Sequence, residues 1–191
     1  MRVFFIDNFD SFTYSIMGEF EKRDCEVLVY GNNMDMKIID SAIKKFKPNL
    51  IVISGFGALK GCGNSMDIVK TYHEKIPILG VGLGHLCIIE ALGGKVDKSI
   101  ELMHGKPSKI IHDGKTIFKK LENPFQAGSY NTLAGVEIPY SLEVSARNES
   151  GIIMGVRHKE HFTEGIQFSP SSILTPAGSL IIDNLIKETK K

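Results

Sequence analysis

Through the first half of the chain, short apolar runs alternate with amphipathic stretches. Residues 3–6, 25–30, 50–53 and 76–79 read as strands, and residues 13–22, 35–46, 66–74 and 84–92 as helices. The run Leu50-Ile51-Val52-Ile53 has no polar alternation, which fits a strand covered on both faces. Strands that alternate with helices imply a parallel sheet with right-handed crossovers. After Gly93-Gly94 the rhythm changes. Residues 108–112, 125–130, 141–147 and 152–158 are short, turn-bounded and partly alternating, the pattern of antiparallel strands. A last strand over residues 163–168 leads to a helix near residues 179–188. The expected architecture is α/β: an open, mostly parallel sheet with helices on both faces, plus a small antiparallel sheet. No repeat, low-complexity tract or linker intervenes, so residues 1–191 read as one domain.

Composition narrows the function classes. Hydrophobic residues make up 42% and charged residues 24%, ordinary values for a protein with a full-sized core. A formal net charge of +1 provides no global field to gather nucleic acid or an anionic membrane. The apolar runs fall short of the roughly 20 residues that span a bilayer. The chain opens straight into a strand, without a secretory pattern. Cys25, Cys62 and Cys87 form no CxxC pair and no zinc spacing. These features point to the cytoplasm and to a protein without a cofactor.

In an open parallel sheet, function gathers beyond the carboxyl ends of the strands. Residues 7–15, 54–63 and 80–85 are expected to converge there. Gly80-Val81-Gly82-Leu83-Gly84-His85 follows a buried strand and opens a helix, the context of a nucleophile elbow. Backbone N–H groups at such a helix terminus can stabilise an oxyanion. The central position, however, is Gly82, which has no side chain to attack with. On this hexapeptide alone, a plain glycine-rich strand-to-helix turn is the simpler reading. A phosphate cradle fits less well, because the spacing is not GxGxxG and no acidic residue closes a following strand.

Read with the rest of the chain, the elbow acquires a context. Asp7-Asn8-Phe9-Asp10-Ser11-Phe12-Thr13-Tyr14 resembles the N-terminal signature of a branch of the class I glutamine amidotransferases. That branch supplies the glutaminase subunits of anthranilate synthase and aminodeoxychorismate synthase. Further matching blocks are Pro77-Ile78-Leu79-Gly80-Val81, Leu83-Gly84-His85 and Ala91-Leu92-Gly93-Gly94-Lys95-Val96. Leu102-Met103-His104-Gly105-Lys106, His112-Asp113-Gly114 and Met154-Gly155-Val156-Arg157-His158 continue the series. Glu164-Gly165-Ile166-Gln167-Phe168 and Ile173-Leu174-Thr175 complete it, in order, across essentially the whole chain.

The resemblance implies a flavodoxin-like sheet, and a cysteine thiolate that attacks the amide of glutamine. It also implies a histidine–glutamate pair that moves the proton, and ammonia delivered to a chorismate-converting partner subunit. The family elbow reads Gly-Val-Cys-Leu-Gly-His-Gln; here the cysteine is Gly82 and the glutamine Leu86. The family block Gln-Phe-His-Pro-Glu-Ser stands as Gln167-Phe168-Ser169-Pro170-Ser171-Ser172, so the histidine is Ser169 and the glutamate Ser171. The oxyanion loop Ser-Pro-Gly-Pro-Gly is Ser54-Gly55-Phe56-Gly57, shorter and without its prolines. The glutamine-binding Tyr-His-Ser-Leu is Tyr130-Asn131-Thr132-Leu133. Serine cannot accept a proton near neutral pH as histidine can.

By this resemblance Gly82, Ser169 and Ser171 are degenerate triad positions. Gly55, Phe56, Gly57, Leu83, Leu86, Tyr130, Asn131 and Thr132 are a vestigial glutamine pocket and oxyanion loop. Asp10, Ser11, Tyr14, His104 and Lys106 are partner-interface residues. The expected function is a pseudo-glutaminase that supports the synthase large subunit. Two alternatives stay open: a glutaminase relocated to Cys62, with His85 as its base, and a module that senses glutamine or another metabolite. His104, Lys106, His112 and Asp113 cluster in sequence without ligand spacing, so a metal is not expected there. In the Asp7-to-Tyr14 block, Ser11 or Thr13 could serve as a helix N-cap.

Overall fold

The computed structural model describes residues 1–101 and 105–190. Its first half is β1 (Arg2–Asp7), α1 (Thr13–Glu21), β2 (Glu26–Gly31), α2 (Met36–Phe46), β3 (Leu50–Gly55), α3 (Ser65–Tyr72), β4 (Ile78–Gly82) and α4 (Leu83–Ala91). The second half contains β5 (Lys95–Lys98), β6 (Lys106–His112), β7 (Phe125–Ser129), β8 (Leu133–Glu137), β9 (Leu142–Asn148), β10 (Ile153–His158), β11 (Thr163–Ile166) and α5 (Gly178–Thr189).

Nine strands form one sheet in the order β2-β1-β3-β4-β11-β10-β9-β6-β7. From β2 to β11 the pairings are parallel, and from β11 to β7 they are antiparallel. The strands after Gly94 are thus mostly an edgewise extension of the parallel sheet. The separate small sheet is β5 paired antiparallel with β8. Neither β5 nor β8 is evident from the sequence: β5 is Lys-Val-Asp-Lys, with little apolar face to reveal it.

Alternation of side chains along the buried strands divides the core. Val3 and Phe5 of β1 and Leu50 and Val52 of β3 face a layer completed by Ile16 and Phe20 of α1 and Ile181 and Leu185 of α5. Phe4, Ile6, Ile51 and Ile53 face the opposite layer, built from Ile39 and Ile43 of α2, Ile68 and Val69 of α3 and Ile88 of α4. Helix α4 lies unusually close to the sheet. A Cβ at Gly84 would overlap the Ile53 carbonyl of β3, so only glycine permits this approach. Among the described residues no helix is long and apolar enough to cross a membrane.

The strand order reverses between β1 and β3, and the loops beyond the carboxyl ends of β1, β3 and β4 meet at this switch point. Arg157 of β10 ties the antiparallel half together. Its guanidinium bonds Asp113 at 2.6 Å and Glu143 at 3.0 Å, and lies 3.4 Å from the buried Glu164 of β11. Asp113 therefore serves this ion network. His112 accepts from the Gly114 N–H at 3.1 Å and pairs with the Glu122 carbonyl at 2.9 Å.

Candidate functional site

The loop after β1 is fixed by a buried polar latch. Asp7 Oδ1 accepts from the Phe9 N–H at 2.9 Å and the Thr13 hydroxyl at 2.7 Å; Thr13 Oγ1 also meets Ser54 Oγ at 2.8 Å. Asn8 extends the latch, its amide donating to the Ser54 carbonyl and its oxygen accepting from Asn32 and Ser65. The start of α1 is therefore held by Asp7 and by Asp10, whose Oδ2 accepts from Phe12 N–H at 3.1 Å. Neither Ser11 nor Thr13 caps the helix with its side chain. Asp7, Asn8 and Thr13 are buried structural groups, whereas Ser11 and Tyr14 are exposed and Asp10 is partly buried.

At the elbow, Gly82 closes β4 with φ 60° and ψ −108° and is followed directly by α4. Beyond the neighbouring β11, Ser169 is completely buried, its Oγ lying 3.4 Å from Ser171 Oγ. The three positions that the resemblance assigns to a triad therefore stand beyond adjacent strands, as glycine and two serines. The space in front of Gly82 is filled. A Cβ there would overlap the Gly55 carbonyl and meet Phe56 Cε1 at 2.7 Å and Cδ1 at 2.8 Å. Phe56 is held in turn by Phe12 and Tyr130, with ring centroids 5.5 Å and 5.6 Å away; Phe12 and Tyr130 stand 4.7 Å apart.

Outside this aromatic cluster lies a cavity of about 370 Å³. Of the expected pocket residues, Phe56, Gly57, Leu83, Leu86, Tyr130, Asn131 and Thr132 line it, and Gly55 does not. Asp10 and Ser11, expected at an interface, line it too. Leu133, the last residue of the expected glutamine-binding stretch, lines it as well, whereas sequence reasoning missed Phe12 and Gln167. The available signal for Gln167 was a polar residue between the apolar Ile166 and Phe168, just past the end of β11. Asn131 Oδ1 and Gln167 Oε1 are buried without a hydrogen-bond partner among the described residues. Burial pushes the Asp10 carboxyl above its ordinary range. A larger cavity of about 520 Å³ lies between α2 and α3, by the amino ends of β3 and β4, and is lined mainly by lysines and apolar groups.

Cys62 and His85 do not form a substitute dyad in this arrangement. Cys62 is buried against Leu83 and Cys87, and neither it nor His85 lines the cavity. The His85 ring is packed against Gly165, where burial pulls its pKa down to about 4 and keeps it neutral.

Four exposed apolar side chains lie near the cavity residues in sequence. Phe9 precedes Asp10, and Tyr14 follows Phe12 by two residues. Ile100 follows Ser99, whose N–H donates to the Thr132 carbonyl, and Ile173 follows Ser172, whose hydroxyl pairs with Tyr130 Oη at 3.1 Å. Lys106 is exposed at the start of β6, opposite Ser129. His104 lies outside the described residues.

Comparison with known proteins places this geometry. The family described as glutamine amidotransferase class-I matches residues 4–189. Anthranilate synthase component 2 of Methanocaldococcus jannaschii is 42% identical over 186 residues, covering 96% of this chain and 91% of that protein. The bifunctional protein TrpGD of Thermotoga maritima is 44% identical over 191 residues, covering 97% of this chain. The chain spans only 32% of that protein's length. Among solved structures, a putative GMP synthase component from Thermoplasma acidophilum shares the fold, with a TM-score of 0.87 at 20% identity, covering 100% of this chain and 94% of that one.

Proposed function

The chain belongs to the class I glutamine amidotransferase family, and from that premise we propose that it is a non-hydrolysing member that binds and supports a chorismate-converting synthase subunit in the cytoplasm. The observation that carries the reading is the occupation of the elbow: Phe56 and the Gly55 carbonyl fill the volume in front of Gly82. Hydrolysis of glutamine by this family's route needs a nucleophile at that point and a base beside it. Here the nucleophile position has no side chain, and the base position is Ser169, a group that does not take up a proton near neutral pH. Triad members act as a unit, so their joint loss leaves only residual catalysis.

The support role rests on what is retained. Phe9, Tyr14, Ile100 and Ile173 are exposed apolar side chains close in sequence to cavity residues, and exposed apolar groups of this kind suit a protein partner. The latch of Asp7, Thr13 and Ser54 holds the loop that presents Phe9. The M. jannaschii relative is named as an anthranilate synthase component, which favours anthranilate over aminodeoxychorismate as the partner's product. In such a complex the large subunit works with free ammonia. Product formation from ammonium, but not from glutamine, in the reconstituted complex tests the reading; glutamine-dependent product would overturn it.

A second reading is favoured by the cavity itself. Its volume and the unpartnered oxygens of Asn131 and Gln167 suit retention of a small hydrogen-bond donor without cleavage. Calorimetric titration with glutamine tests this: a saturable heat supports a sensing role, and its absence leaves the scaffold reading alone.

A further inference from the structure

Two of the three cysteines are brought together by the fold, and nothing in the proposed function uses them. Cys62 ends the 3-10 turn Leu59–Gly61 in the loop between β3 and α3. Cys87 lies in α4, about a turn beyond Gly82. With Leu83 they form a small buried cluster, bounded by Leu59 and Met66 and separate from both main core layers. Cys62 Sγ is directed at the Gly63 carbonyl 3.9 Å away, and Cys87 stands beside it in the cluster. Cys25 belongs to the layer on the other face of the sheet, its sulfur directed at the Arg23 carbonyl 3.8 Å away.

We propose that Cys62 and Cys87 form a redox pair, which a hydroperoxide oxidises to a disulfide that ties the Phe56-bearing loop to the elbow helix. The two sulfurs have different chemistry. Contact with Cys87 holds the Cys62 thiol below the ordinary thiol range, which favours its thiolate. The same contact and deep burial push Cys87 up, and it stays a thiol. Cys62 is the attacking sulfur and Cys87 the resolving one. The Cys62 thiolate attacks the peroxide, an S–O bond forms as the O–O bond breaks, and the displaced alkoxide or hydroxide takes up a proton. Cys87 sulfur then attacks Cys62 sulfur, the S–S bond forms, and the S–O bond breaks. The hydroxyl group leaves as water with the Cys87 proton. One hydroperoxide and two thiols thus become a disulfide, water and one alcohol or a second water; the thiols supply both electrons.

Cys62 is buried, but both of its chain neighbours, Gly61 and Gly63, are exposed. Local displacement of this loop is therefore enough to admit a molecule as small as hydrogen peroxide. The bridge closes the segment that runs from the loop through α3 and β4 into α4, and ties the far end of the Phe56-bearing loop to the elbow helix.

The test is treatment of the full chain with hydrogen peroxide at neutral pH, followed by thiol blocking with N-ethylmaleimide and non-reducing tryptic mass mapping. The expected product is lighter by two hydrogens and yields a cross-linked peptide joining residues 61–70 to residues 76–95. Cys62 should be consumed about tenfold faster than Cys25, the buried control. Cys25→Ser keeps the cross-link, and Cys87→Ser leaves a Cys62 sulfenic acid that dimedone traps. The inference is overturned if Cys62 reacts no faster than Cys25, or if it proceeds to sulfinic acid while Cys87 stays reduced. Mapping of the unsubstituted chain decides the matter even if a variant misfolds.

Discussion

The Phe56 ring stands against Gly82, its Cε1 2.7 Å from where a Cβ at that position would lie. The turn at Gly82 thus carries no side chain and is covered by Phe56 and the Gly55 carbonyl. Gly82 also has φ 60°, a conformation that costs an L-residue about 1–2 kcal/mol. Restoring a cysteine therefore faces both strain and overlap with the Gly55 carbonyl. Gly82→Cys is expected to destabilise the fold by at least about 2 kcal/mol in urea titration. It should also release no ammonia from glutamine. Adding Phe56→Ala should recover part of the stability and still restore no hydrolysis, because Ser169 remains at the base position.

The latch beneath the loop after β1 makes a separate prediction. Thr13→Val removes a hydroxyl that serves both Asp7 and Ser54 and leaves those two side chains buried without it. The expected loss is about 1–3 kcal/mol by denaturant titration. The exposed Ser11→Ala should stay within about 0.5 kcal/mol of the parent.

Glu164 sets a pH dependence. Burial pushes its pKa up to about 7, above an unfolded value of 4.5, despite the neighbouring Arg157. Between these values the folded state holds more protons than the unfolded one, so the stability it contributes is present at the acid end and falls as pH rises towards 7. The expected fall is on the order of 3 kcal/mol. Glu164→Gln should flatten this slope, measured as the urea midpoint across the window. Asp113 acts with the opposite sign: burial raises its pKa, but the hydrogen bonds from Arg157 and the Lys115 N–H, together with their positive charges, hold it down, so its contribution is lost as pH falls.

Exposed Tyr14, two residues beyond the cavity residue Phe12, predicts where a partner docks. Tyr14 is two-thirds exposed, with relative accessibility of 67%. Tyr14→Ala should leave the folding midpoint unchanged and weaken binding to the synthase subunit about tenfold, the effect of losing roughly 1.4 kcal/mol at an aromatic anchor. Unchanged affinity by surface plasmon resonance would move the interface elsewhere.

Much of this was legible in the sequence. Continuous apolar runs marked β1, β3 and β4, because burial on both faces leaves no polar alternation. Strand β5 was hidden by its charge and exposure. The pairing of β11 beside β4 was hidden because register between distant strands has no local signature. At the site, the motifs located Gly82, Ser169 and Ser171, and most of the cavity lining followed from the same blocks. The role of Phe56 did not, since its contacts with Gly82, Phe12 and Tyr130 arise only when loops from three strands meet. Phe12 likewise reads as the start of an amphipathic helix rather than as a cavity wall.

The measurement that tests the central claim most directly is product formation by the reconstituted synthase complex, supplied with glutamine in one arm and ammonium in the other, with ammonia release followed in parallel. The account predicts product from ammonium alone and no ammonia from glutamine. Glutamine-supported product at a rate comparable to the ammonium arm would contradict it.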